Sequence, residues 1–263
     1  MKRYQFTRTA VITAAIVFGL AKPDVVQAQW SHEPAVKNIV LVHGAWADGS
    51  CWSKVILLLE AKGFHVVAVQ NPLTSLADDV AATQRVLAAL DGPAILVGHS
   101  YGGSVITQAG DDPKVAGLVY VSAYAPDAGQ SAASLGNAYA PSPLIAQLIL
   151  DPTKFYTVTP KGIFEDFAQD LPLAERQVLL ATQAPTAAVA ALSAPVSVVA
   201  WRNKPSWFVV AADDRAIPPA LEMAEAAKIK ATTVTLQSGH LAMLSHPFEV
   251  AETIEHAARN SQR

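Results

Sequence analysis

The chain has 263 residues, of which 51% are apolar and 16% charged, and its formal net charge is −3. This composition excludes an intrinsically disordered chain, which would be poor in apolar residues and rich in charge. Since Lys and Arg are not in excess, we expect no nucleic-acid partner. The single cysteine, Cys51, excludes an internal disulfide and cysteine-rich zinc sites, and we expect neither a metal nor a cofactor.

The start of the chain has the pattern of a secretory signal peptide. Basic residues precede an apolar run at 10–20, which is too short to span a bilayer. A small-x-small motif ends at Ala28. We therefore expect a leader of residues 1–28, then a mature domain of residues 29–263 that is exported to a periplasm or secreted and has no stable membrane anchor.

The mature chain alternates strand and helix patterns, which predicts an α/β fold with a mostly parallel sheet flanked by helices. The continuous apolar, β-branched run at 38–42 predicts a strand that is buried on both faces, as in parallel sheets. Further strands are predicted at 65–69, 94–97, 117–121, 206–211 and 232–236. Helical patterns lie between and after them at 51–61, 76–90, 102–110, 219–227 and 248–258.

The alternation breaks between about residues 125 and 204. This segment is rich in proline and poor in β-branched runs, and three short stretches favour helices, namely 142–150, 162–169 and 173–183. We therefore predict a mostly helical cap, inserted before the strand at 206–211.

A candidate nucleophile lies between a predicted strand and a predicted helix. Residues 98–102 read Gly-His-Ser-Tyr-Gly and match the G-x-S-x-G pattern. A sharp strand-to-helix turn would project the Ser100 hydroxyl from the edge of the sheet, at the N-terminus of the helix. We predict Ser100 as a nucleophilic serine.

A serine hydroxyl needs a base to take its proton, and histidine has a suitable pKa. His240 follows the last predicted strand, where the base belongs in the chain order serine, acid, histidine. His246 is the nearest competitor, but its position before Pro247 fits the capping of a helix. His43 and His99 also lie near the predicted edge, within local backbone motifs. We predict His240 as the base.

The base in turn needs a carboxylate that fixes its tautomer. Asp213 and Asp214 both follow the strand at 206–211, and Asp127 follows the strand at 117–121. The residues alone leave these three candidates open.

Attack on an acyl group creates an oxyanion that two hydrogen-bond donors must stabilise. The backbone N–H of Tyr101, directly after the nucleophile, is one predicted donor. The loop that follows the strand at 38–42 should supply the other, with the Ala45 N–H as first choice and the Trp46 N–H as second.

Together these motifs resemble the α/β-hydrolase superfamily, and within it the small group of esterases and hydroxynitrile lyases. That group includes plant methyl esterases and bacterial members described as salicylate-esterase-like. The resemblance covers the mature chain and rests on four segments, namely 41–52, 98–103, 214–218 and 238–240. It implies the α/β-hydrolase fold, Asp214 as the acid, His240 as the base and a cap at about 125–204.

Two positions depart from the pattern of the lyases in this group. Such lyases carry a lysine after the catalytic histidine, where this chain has Leu241, and a threonine after the first-strand histidine, where it has Gly44. Both differences favour ester hydrolysis.

The expected activity is that of a serine carboxylesterase, which hydrolyses small, apolar or aromatic esters through an acyl-enzyme. Five aromatic residues are predicted to line its pocket: Trp46, Phe155, Phe164, Phe167 and Trp201. Because a fold does not fix a chemistry, two alternatives remain. One is hydroxynitrile lyase or other C–C bond cleavage on the same residues, and the other is a ligand-binding homologue without catalysis.

Overall fold

A computed structural model describes residues 36–261, so the predicted signal peptide lies outside the described residues. Strands and helices alternate through the first part of the described chain. In chain order they are β1 (Asn38–Val42), α1 (Ser53–Glu60), β2 (His65–Val69), α2 (Leu76–Ala89), β3 (Ala94–Ser100), α3 (Gly102–Ala109) and β4 (Val115–Ala123). A 3₁₀ turn at Gly49–Trp52 leads into α1.

The segment between β4 and the next strand of the main sheet forms a cap of short elements. Its helices are α4 (Ala132–Gly136), α5 (Pro160–Gly162) and α6 (Leu173–Thr182), and its strands are β5 (Leu148–Leu150), β6 (Phe155–Val158) and β7 (Thr186–Ala187). Short 3₁₀ and π turns lie at Pro143–Gln147, Ile163–Phe167, Ala188–Leu192 and Ala200–Arg202.

The chain then returns to the main sheet. The remaining elements are β8 (Ser206–Ala211), α7 (Pro219–Lys228), β9 (Thr232–Leu236), α8 (Ala242–Ser245) and α9 (Pro247–Asn260). Within residues 36–261, no helix is both long enough and apolar enough to cross a membrane.

The main sheet has six parallel strands in the order β2-β1-β3-β4-β8-β9. Every residue of β1 and β3 is buried, as their continuous apolar sequences predict. Helix α1 packs with α9, while α2 packs with α3. The predicted parallel sheet with flanking helices is confirmed.

The sheet order places the candidate residues together. Strand β1 pairs with β2 on one side and β3 on the other, so the connections diverge at the β1–β3 boundary. In open α/β sheets, ligands bind at the carboxyl ends of strands where the order switches in this way. Here β1 leads into His43, and β3 ends on Ser100.

The cap contains a three-stranded antiparallel sheet, β5-β6-β7, that the sequence did not predict. The helix predicted at 142–150 was wrong beyond Gln147, because residues 148–150 form β5. Strands of two to four residues are too short to show a period of two, so no pattern distinguished them from helix or loop.

Candidate active site

The backbone at Ser100 adopts an unusual conformation. Its φ is +55°, in the left-handed region that residues with a side chain rarely occupy. The approach of β3 to α3 is also very close, since a Cβ at Gly98 would lie 2.6 Å from the carbonyl oxygen of Gly102. Glycine at that point lets the strand turn sharply into the helix, with Ser100 in the turn between them.

His240 and Asp214 lie in direct contact. The Nδ1–H of His240 donates to Oδ2 of Asp214 at 2.6 Å, and both side chains are almost fully buried. The other oxygen of Asp214 accepts the N–H groups of Ala216 at 2.6 Å and Ile217 at 2.8 Å. These two bonds fix the carboxylate in the turn after β8 and aim Oδ2 at the ring.

This contact sets the tautomer of His240. An ionised carboxylate only accepts, so Nδ1 carries the proton and Nε2 keeps a free lone pair. Nε2 is buried, and no donor or acceptor among residues 36–261 contacts it. His240 and Ser100 line the same cavity.

The other two candidates for the acid, Asp213 and Asp127, do not contact His240. Asp213 is exposed, and its backbone rather than its carboxylate is bonded, with the carbonyl accepting from Gln169 at 2.8 Å. The Asp127 carboxylate accepts from Arg202 at 2.8 Å. Neither carboxylate contacts His240.

His43 and His99, the buried histidines near the site, form hydrogen bonds to backbone groups. Nε2 of His43 accepts the Asn71 N–H at 2.9 Å, and its Nδ1–H donates to the Gly44 carbonyl. His99 donates from Nε2 to the carbonyl of His240 at 3.1 Å. Burial lowers the pKa of both rings, so they are neutral around pH 7. They support the loops beside Ser100 without adding charge.

The two predicted oxyanion donors are backbone N–H groups at the edge of the cavity. The Tyr101 N–H stands at the N-terminus of α3, and Ala45 lies in the loop after β1, with both residues lining the cavity beside Ser100. The alternative donor, the Trp46 N–H, bonds to Oγ1 of Thr186 on β7 at 3.2 Å. With Trp46 engaged, Ala45 is the better candidate of the two.

A cavity of about 430 Å³ opens above these groups. Ser100, His240 and the two candidate oxyanion residues are among the residues that line it. Its walls are mainly apolar or aromatic and come largely from the cap, including Tyr124, Ala132, Leu144, Leu148, Tyr156, Ala188, Leu192 and Ile217. No group of three or more metal-binding side chains occurs within the described part of the chain.

Residues 39–253 match the model of the alpha/beta hydrolase family. The chain belongs to this family.

Several known proteins resemble this alpha/beta hydrolase. The carbendazim hydrolyzing esterase of a Nocardioides species is 33% identical over 126 residues, which cover 43% of this chain and 52% of that enzyme. Norfluorocurarine synthase 2 of a Strychnos species is 39% identical over 106 residues, which cover 35% of this chain and 40% of the relative. The matched segments thus span about half of these relatives or less. A crystal structure of a pyrethroid hydrolase from Sphingobium faniae has 25% identity and a TM-score of 0.73, covering 86% of this chain and 98% of its own.

Four of the five aromatic residues predicted to line the pocket of this hydrolase do not line it. Only Trp46 of that set does. Phe155 is replaced by its neighbour Tyr156, because successive side chains on a strand point to opposite faces. Phe164 is partly buried against the hydrophobic core, and the Trp201 indole donates to the carbonyl of Pro126 at 3.1 Å, outside the cavity.

Phe167, the fourth of these, is fully buried behind the active site. Its ring centroid lies 6.2 Å from that of Trp46 and 5.3 Å from that of His240. It therefore packs against the residues that line the cavity rather than against a ligand.

We predict that Phe167→Ala lowers the free energy of unfolding by about 3–5 kcal/mol, the usual cost of deleting a buried phenylalanine. Urea denaturation would measure this loss. Phe164→Ala, at a partly buried position, is the matched control and should cost less. If the variant kept its stability but changed its ester preference, Phe167 would instead be a residue that contacts the substrate.

Sequence reasoning missed Asp79, which supports one of the candidate oxyanion donors. Its Oδ2 accepts from the Tyr101 hydroxyl at 2.8 Å, and its Oδ1 accepts the Leu73 N–H at 2.8 Å. Burial raises the pKa of Asp79 to about 6, although both hydrogen bonds oppose the shift. A charged residue on the buried face of α2, between Leu76 and Thr83, was the available signal.

The raised pKa of Asp79 predicts a pH-dependent contribution to stability. The stabilising contribution of the neutral acid is complete below about pH 4 and is lost as pH rises through about 6, because ionisation is then costlier in the folded state. The stability of the wild type relative to Asp79→Asn should therefore fall by up to about 3 kcal/mol between pH 4 and 7. Denaturation curves at several pH values measure this difference.

Asp78 provides the control. Hydrogen bonds from Ser75 and Thr74 lower its pKa, so the stability of the wild type relative to Asp78→Asn should instead rise with pH. Equal slopes for the two variants would contradict the assignment of the raised pKa to Asp79.

Proposed function

We propose that this alpha/beta hydrolase is a serine carboxylesterase, in which Ser100 is the nucleophile, His240 the base and Asp214 the acid. The observation that carries the proposal is the 2.6 Å contact of His240 Nδ1 with Asp214, which leaves Nε2 unprotonated in the cavity that Ser100 lines. A hydroxyl with such a base beside it becomes a competent nucleophile.

In the proposed reaction, His240 Nε2 takes the Ser100 proton while Oγ attacks the acyl carbon of the ester. The N–H groups of Ala45 and Tyr101 stabilise the oxyanion that forms. The imidazolium, stabilised by Asp214, then donates its proton to the leaving alcohol, and an acyl-enzyme remains. A water molecule activated by the same base hydrolyses it.

The substrate we propose is a small ester whose acyl or alcohol part is apolar or aromatic. A cavity of about 430 Å³ is at the lower end of the range for small-molecule sites, and its walls are mainly apolar. The names of the carbendazim hydrolyzing esterase and the pyrethroid hydrolase support a hydrolytic activity on small molecules.

Two features favour hydrolysis over cyanohydrin cleavage. Leu241, the residue after His240, is fully buried and offers no cation to a cyanide leaving group. At Gly44, a Cβ would lie 2.6 Å from the Cβ of Ser100, so the threonine found in such lyases would require a shift of this loop.

The test is a substrate panel on the purified protein, combined with labelling. We expect p-nitrophenyl acetate, butyrate and benzoate to be hydrolysed, and a fluorophosphonate to add to Ser100, as located by mass spectrometry of the peptides. Turnover of mandelonitrile without ester hydrolysis would favour the lyase instead. Ligand binding with neither turnover nor labelling would favour a non-catalytic homologue.

A further inference from the structure

A second carboxyl group lies beside the candidate acid. Glu222, on the first turn of α7, is fully buried. Its Oε2 accepts the N–H of Ala211 at 2.9 Å, at the end of the strand that leads to Asp214. Its Oε1 is buried, and no donor on residues 36–261 contacts it. The Glu222 carboxyl lies within hydrogen-bonding reach of the Asp214 carboxyl.

The two carboxyl groups differ in the donors that they receive. Asp214 accepts three hydrogen bonds, two from backbone N–H groups and one from the His240 ring. Glu222 accepts from one N–H group, and no Lys, Arg or His in the described chain forms an ion pair with it.

The other ionisable groups near Glu222 do not supply a positive charge. Tyr124 lies near both Asp214 and Glu222, and Glu225 follows Glu222 by three residues on α7. Glu225 lies on the same helix and is also buried, but it has its own cation, Lys228, at 2.7 Å. Glu222 therefore faces a negative charge on Asp214 without compensation.

Two buried carboxylates in contact cannot both be ionised at modest cost, and the one with fewer donors retains the proton. Burial, and then the charge of Asp214, raise the pKa of Glu222 well above its ordinary range. The proton that it keeps gives Oε1 a hydrogen to donate, which accounts for an oxygen that otherwise has no partner.

We propose that Glu222 is a neutral carboxylic acid that donates a hydrogen bond to the Asp214 carboxylate and thereby positions it against His240. Glu222 touches no substrate in this arrangement and is a positioning residue. Its protonation does not depend on the activity of the protein, whereas its effect on catalysis rests on the proposed esterase function.

Infrared difference spectroscopy at pH 7 tests the protonation directly. The wild type minus Glu222→Gln spectrum should contain the C=O band of a protonated carboxylic acid, shifted in D₂O. Glu225→Gln is the matched control, because Glu225 is a buried carboxyl on the same helix with a lysine partner, and its difference spectrum should contain only carboxylate bands. Carboxylate bands alone for Glu222→Gln would overturn the proposal.

Ester kinetics then test the positioning role. Glu222→Gln keeps a neutral donor of the same shape, so kcat should remain within about threefold of the wild type, a change of under 1 kcal/mol. Glu222→Leu removes the donor, and we expect kcat to fall at least about tenfold, or 1.4 kcal/mol, with KM nearly unchanged. A kcat for Glu222→Leu equal to that of Glu222→Gln would overturn the positioning role.

The two experiments separate the two proposals. If the wild type hydrolyses no ester while the infrared band of the protonated acid is present, the esterase function fails and the neutral Glu222 stands. If the wild type is an esterase and that band is absent, only the inference about Glu222 fails.

Discussion

Replacement of Ser100 by alanine is expected to lower kcat for p-nitrophenyl acetate at least about 10⁴-fold. The variant loses the atom that would form the acyl-enzyme, while the candidate oxyanion donors and the cavity remain. Residual turnover would then come from those groups alone. The measurement is the initial rate at saturating ester, with a fluorophosphonate as titrant of active sites.

Ser104→Ala is the matched control for this variant. Ser104 lies on α3, four residues after Ser100, is buried, and lines no part of the cavity. Its hydroxyl has no hydrogen-bond partner among the described residues, so its removal should change neither folding nor activity. A Ser100→Ala enzyme as active as Ser104→Ala would show that another group is the nucleophile.

The four central strands of the main sheet, β1, β3, β4 and β8, could be predicted because they are buried on both faces and therefore read as largely apolar runs. The edge strands β2 and β9 are half-buried or exposed over most of their length. Asn38–Val42 and Ser206–Ala211 occur where those runs predicted them. In the cap, buried apolar side chains occur on short strands, turns and helices alike, so apolar residues alone do not identify the strands. Tyr156 lines the cavity and Phe155 does not, a difference that depends on the pairing of β6 with its neighbours and not on residue type.

The candidate site also has a part that the sequence predicts and a part that it does not. The motif around Ser100 is local, so the sequence alone could identify it. The choice between the adjacent residues Asp213 and Asp214 depends on which one the turn after β8 directs inward, and in the sequence only the family resemblance favours Asp214. Asp79 and Glu222 bond to Tyr101 and Ala211, which lie 22 and 11 residues away in the chain, so no local motif contains them, and only an acidic residue on a buried helix face marks them in the sequence.

Replacement of Asp214 by asparagine is expected to lower kcat by about 10⁴-fold while leaving KM nearly unchanged. The amide oxygen of asparagine can still accept the N–H groups of Ala216 and Ile217, so the turn should keep its shape. The amide nitrogen would then face His240 as a donor and favour the tautomer with the proton on Nε2, which cannot accept a proton from Ser100. The stability of the variant, followed by thermal denaturation, should change much less than its activity.

Asp213→Asn and Asp127→Asn are the controls that locate the acid. The Asp213 side chain is exposed and makes no contact with the ring, so its variant should keep kcat within about twofold of the wild type. Asp127 bonds to Arg202 at the surface, so its variant should lower the free energy of unfolding by less than about 1 kcal/mol and leave turnover unchanged. If either variant loses more activity than Asp214→Asn, the acid is assigned to the wrong residue. The hydrogen bond that we propose from Glu222 would then orient a carboxylate without a catalytic role.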